Sequence, residues 1–248
     1  MVCADTCTLV ACSVCVEAMH RVEYETWHGA GTFPCRAAAP RKLRRACYRD
    51  GIWAPKDGAN VDLVLKKLRE LGGVRTTNAP APAPFVLPVR SWQGYHEPTL
   101  ECVERLLDHG PCIGSVWVCP WWVLFDASIS DDLVYRGCGR SQGARDASFC
   151  LFKKDTVGYH AVVCYKYRIV CVEEQEGEDS KEEEGKGEAE AKEEMEMHVL
   201  VMDNHSATGP SLWINYEELL SLYSVNVEWM EPPIHLGGCR LTYPRSGC

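Results

Sequence analysis

His160-Ala161-Val162-Val163-Cys164-Tyr165-Lys166-Tyr167-Arg168-Ile169-Val170-Cys171 is a run of twelve residues dominated by β-branched and aromatic side chains, and it predicts one long strand. A second such run, His198-Val199-Leu200-Val201-Met202, predicts its antiparallel neighbour. Residues 173–196 lie between them and hold thirteen carboxylates against Lys181, Lys186 and Lys192. That segment is too charged and too poor in large apolar side chains to offset its ordering entropy, so it reads as a disordered hairpin insertion. It also carries the net charge of the chain, which is −9 overall and close to neutral without it. The remainder has no basic stripe, which argues against a nucleic-acid partner. No apolar run reaches the roughly 18 residues of a membrane span, so no membrane partner is expected.

Working outward, Gly110-Pro111 leads into a β-rich run at 113–118, preceded by a short helix at 100–108 and a strand at 85–92. Residues 79–84 alternate Ala and Pro, an extended connector that marks a lobe boundary. Ahead of it, Leu63, Val64, Leu65 and Leu68 fall on one side of a helix at 61–71, closed by Gly72-Gly73. Residues 29–58, with glycines, prolines and the cluster Arg41, Lys42, Arg44 and Arg45, read as irregular and exposed. Three-to-four spacing of apolar residues over 6–23 predicts a largely buried first helix, with Asp5 and Thr6 placed to cap it. For 248 residues the organisation is thus α+β: a helical lobe over 1–84, a β-rich lobe over 85–231 interrupted by the acidic insertion at 172–197, and a tail at 232–248.

The chain has fifteen cysteines, an odd number that leaves at least one thiol unpaired in any all-disulfide scheme. Cys12, Cys15, Cys164 and Cys171 lie inside apolar runs and read as buried small hydrophobes. Residues 1–20 lack a basic leading region and carry Asp5 and Glu17, a weak signal peptide at best, so the compartment stays open.

Cys7 differs from the other thiols. It stands at the start of the first helix, where the positive end of the helix dipole and unpaired N–H groups stabilise a thiolate. An imidazole from far along the chain would complete the activation, and a third group would orient the ring. His160, at the head of the long strand, and Asn204, just after the second strand, satisfy that order. Two other readings stay open: Cys7 and His160 as structural residues of a binding module, and zinc ligation through Cys3, Cys7, Cys12 and Cys15. His20, His28, His96 and His109 read as ordinary surface or packing residues.

The order of these segments resembles the papain-like cysteine peptidases. Cys7-Thr8-Leu9-Val10-Ala11 stands where that family opens its first helix, and Glu17 follows at the family's interval. Gly58-Ala59-Asn60 resembles its Gly-Gly stretch, Gly110-Pro111-Cys112-Ile113 its Gly-Pro-Val strand, and His160-Ala161-Val162-Val163 its His-Ala-Val strand. Val199 to Met202 with Asn204 corresponds to the apolar strand that ends in the family's Asn turn. The resemblance implies a two-lobe fold with the cleft between the lobes. It also implies Cys7 as nucleophile, His160 as general base and acid, Asn204 as the group orienting the ring, and Gly58, Ala59 and Ala161 as substrate-binding positions. A peptide or protein substrate, a monomer, no cofactor and no metal follow from it, as does a lysosomal, vacuolar or extracellular setting. The pattern departs at several places. The Gln that supplies an oxyanion donor would fall at Met1, Thr8 replaces a Trp, Ala59 replaces a Gly, and His205-Ser206 stands where the family shields its Asn turn with Trp. These departures keep a second expectation alive, that of an inactive pseudopeptidase serving as a peptide-binding module.

Overall fold

The structure is a computed structural model, and it describes residues 6–77, 86–118, 122, 133–136, 158–172, 194–203 and 211–229. The Ala-Pro connector at 79–84, acidic residues 173–193, Asn204 and the tail at 232–248 lie outside the described residues. In chain order the elements are α1 (Cys7–His28), β1 (Arg36–Ala37), α2 (Arg41–Arg49), β2 (Trp53–Ala54), β3 (Gly58–Ala59), α3 (Val61–Glu70), β4 (Val74–Thr77) and β5 (Val86–Leu87). They continue with β6 (Val89–His96), α4 (Leu100–His109), β7 (Cys112–Val118), β8 (Val134–Tyr135), β9 (Gly158–Val172), β10 (Glu194–Met202), β11 (Ser211–Asn215) and β12 (Leu219–Val227).

Seven strands form the main sheet in the order β6-β12-β7-β9-β10-β11-β8, antiparallel throughout except where β8 runs parallel to β11. Its two faces serve two cores. Ile113, Ala161, Val163, Tyr223 and Val225 face α1, α2 and α3, while Val116, Val118, Val162, Cys164, Val199 and Val201 pack with Val103, Leu106 and Leu107 of α4. Successive residues such as Val162 and Val163 therefore enter different cores, as the two-residue period of a strand requires.

α1 is the axis of the helical lobe. Leu9, Ala11, Cys12, Cys15 and Val16 are fully buried along it, and burying each of the larger side chains contributes roughly 1.5–3 kcal/mol. It runs five residues past Glu23, because Tyr24 buries itself against Phe33 and the ring of His28. Glu17 ties the helix to its surroundings: one carboxylate oxygen accepts from Arg21 at 2.8 Å and the other from the Ala37 N–H at 2.7 Å. Its first turn receives no side-chain cap from Thr6.

Residues 41–49, expected to be irregular and exposed, form α2. Leu43, Ala46 and Cys47 recur at helical spacing and are buried, with the arginines spread over the outer face. Phe33, Cys35 and Trp53 are buried too, so much of the supposed loop is core. α3 begins where Asn60 accepts from the Leu63 N–H at 3.3 Å. It ends at the Gly72-Gly73 stop, where a side chain on Gly73 would strike the carbonyl of Leu87. Pro88 divides the expected strand at 85–92 into β5 and β6.

β9 and β10 pair as foreseen, and both run beyond the apolar runs that announced them. They take Val172 and residues 194–197 into the sheet, which narrows the insertion on both sides. Cys12, Cys15 and Cys164 are fully buried, but Cys171, near the far end of β9, is exposed.

Candidate active site

Where the first turn of α1 meets β7 and the heads of β9 and β12 there is an open cleft of about 610 Å³. Cys7 and Thr8 line it from α1, Lys56 to Val61 from the β3 segment, and Ser115, Gly158 to Ala161, Leu220, Ser221 and Tyr223 from the sheet. Cys7, His160, Gly58, Ala59 and Ala161 all border this one space.

The sheet side of the cleft has a simple construction. His96 in β6 is the register partner of Ser221 in β12, Ser221 that of Ser115 in β7, and Ser115 that of Ala161 in β9. Four adjacent strands therefore present one row, small residues at three positions and an imidazole at the end, which gives His96 a place in the cleft that the sequence did not suggest. One row further on, Trp117 and Tyr159 stack at 4.2 Å and leave Tyr159 exposed beside His160. Gly58, with φ of +70°, holds the turn of β3 in a conformation that side-chain-bearing residues rarely adopt. The Thr8 hydroxyl donates to the Ala59 carbonyl at 3.1 Å, so the residue standing at the family's Trp position ties α1 to that ribbon.

The Cys7 thiol, from α1, and the His160 ring, from β9, border the same cleft and interact electrostatically. Burial alone would push the Cys7 thiol up. The hydrogen bond and charge of His160, the backbone of Ala161 and the Thr8 hydroxyl outweigh it and bring the thiol below its ordinary value. Cys12 and Cys15, buried one and two turns along the same helix, are held well above that value by desolvation. For His160, burial pulls downward, yet the hydrogen bonds and charges of Asp203 and Cys7 raise the ring to about 9. Each group stabilises the charged form of the other, which is the signature of a thiolate–imidazolium pair.

The second ring nitrogen leads to residues the sequence did not single out. His160 Nε2 lies 2.9 Å from Asp203 Oδ1. Asp203 Oδ2 accepts from the indole N–H of Trp122 at 3.0 Å. The Trp122 ring stands edge-on to His160 at 5.5 Å and to Tyr135 at 4.7 Å. Trp122, Asp203 and His160 are all buried. Asn204, the expected orienting residue, lies outside the described residues, and Asp203 immediately precedes it.

No family model matches the chain, and no curated protein matches it. Among solved structures it resembles the clostridial cysteine protease Cwp84 after propeptide cleavage, with a TM-score of 0.54 and 16% identity over 92% of this chain. It spans only 54% of that protein. Procathepsin B from Trypanosoma congolense aligns with 88% of this chain and 69% of its own length, at 13% identity and a TM-score of 0.49. The chain has an α+β, papain-like fold. At this identity the likeness is one of architecture.

Proposed function

We propose that the protein is a papain-like cysteine peptidase, of the papain family proper, that hydrolyses peptide bonds through Cys7 and His160. The observation that carries this reading is that the two border one open cleft, with the Cys7 thiol lowered by His160 while its neighbours on the same helix are raised. The thiolate attacks a peptide carbonyl carbon, forming a C–S bond and moving the carbonyl electron pair onto oxygen. As that pair returns, the C–N bond breaks and the imidazolium proton of His160 passes to the leaving amine. Water then attacks the thioester, giving its proton to the neutral ring, and expulsion of the thiolate restores the ion pair. The row Ala161, Ser115 and Ser221 offers space for a substrate side chain, with the Gly58-Ala59 ribbon facing it.

The test is selective alkylation. Near pH 6, iodoacetamide should label Cys7 much faster than any other cysteine, and His160→Ala should abolish that preference. Hydrolysis of peptide-coumarin substrates by wild type but not by Cys7→Ala completes the case. Fast labelling with no hydrolysis would identify a pseudopeptidase that keeps the ion pair, and labelling of Cys7 at the rate of a generic thiol would overturn the reading.

A further inference from the structure

We propose that Asp203, clamped by the indole of Trp122, is the positioning residue for His160, so that a carboxylate rather than the amide of Asn204 holds the ring. The inference rests on the peptidase reading for its catalytic meaning, but its geometry stands independently. Asp203 follows β10, is buried, and places one oxygen on His160 Nε2 at 2.9 Å and the other on Trp122 Nε1 at 3.0 Å. A carboxylate only accepts hydrogen bonds, whereas an amide can present either its oxygen or its NH₂. Asp203 therefore fixes the neutral ring with hydrogen on Nε2 and the lone pair on Nδ1, the form that can take the proton of the Cys7 thiol. Trp122 bonds the second oxygen and covers the pair edge-on, so the carboxylate has no freedom to rotate away.

A negative group in this place does more than an amide could. Among the described residues, the titratable groups that face the His160 ring are Cys7 from α1 and Asp203 from the end of β10, and Trp122 adds a neutral donor. When the proton moves from sulfur to the ring, the new cation lies between two anions. The carboxylate thus favours the thiolate–imidazolium form and holds the ring proton to higher pH than a neutral amide would.

The experiment combines nitrogen NMR of the ring with kinetics on the full chain. In the wild type, His160 should show the Nε2–H tautomer. Asp203→Asn, which keeps the volume, should shift its titration to lower pH by about a unit or more. The same variant should lower kcat/KM by about tenfold or more, chiefly in kcat, and by more than Asn204→Ala does. Asp203→Glu should recover part of the ring shift, which a merely structural loss would not. A ring titration unmoved in Asp203→Asn, or moved further by Asn204→Ala, would overturn the assignment. The NMR arm reads Asp203 whether or not the protein turns over peptides, so a failure of the peptidase reading shows separately, in the iodoacetamide arm.

Discussion

A proton held on His160 to about pH 9, against the ordinary 6.5, changes what the cleft does between neutrality and mild alkali. Burial works against that proton, and Asp203 and Cys7 retain it. Peptide hydrolysis needs both the thiolate and the imidazolium that protonates the leaving amine, whereas iodoacetamide needs only the thiolate. At pH 8 about 90% of rings titrating near 9 carry the proton, against about 3% for an ordinary imidazole, roughly a thirtyfold difference in competent protein. On the alkaline side, kcat/KM should hold until about pH 8.5 and then fall towards tenfold per unit. Alkylation of Cys7 should show no such fall. Initial rates on a peptide-coumarin substrate give the first profile, and mass-resolved labelling of Cys7 in the same buffers gives the second. An alkaline limb centred near pH 7 would refute the reasoning, because it would mean that neither the carboxylate nor the thiolate stabilises the ring's charge.

Trp122→Phe keeps a ring in place but removes the N–H bonded to a buried carboxylate. It should cost about 1–3 kcal/mol in chemical denaturation, and a loss under 0.5 kcal/mol would show that Asp203 draws little from the indole. Gly58→Ala meets no neighbouring atom but places a side chain at φ of +70°. It should destabilise by about 1–2 kcal/mol and raise KM more than it lowers kcat, with an unchanged KM removing β3 from the substrate path. Ser115→Leu should fill the middle of the cleft row, raising KM for peptides with bulky side chains beside the scissile bond while iodoacetamide labels Cys7 at the wild-type rate. Equal KM for all peptides would place that side chain elsewhere.

The two lobes were legible where apolar residues keep a clean period. The runs that became β9 and β10 announced their pairing, and Leu63 to Leu68 announced α3. α2 escaped because its arginines mask a buried stripe of only three residues. Cys7 and His160 could be named because a helix start and a strand head are local features. Asp203 could not, since the family resemblance pointed to its sequence neighbour Asn204 and no local pattern distinguishes the two. Trp122 lies 81 residues from Asp203 in sequence, and no local pattern links them. The papain-like family shields this turn with a Trp from the residues that follow its Asn, where this chain has His205-Ser206. The structure supplies one from the segment after β7.

The β9–β10 hairpin has a practical consequence. Val172 and Glu194 are register partners, twelve residues along β9 from His160, on the order of 35–40 Å if the strand were straight. At physiological ionic strength a charge fixed at those partners would be screened over about 8 Å. The junction is thus a docking port for cargo: a reporter or affinity tag spliced between its two ends would be tethered by rigid β-structure, far from the chemistry it accompanies.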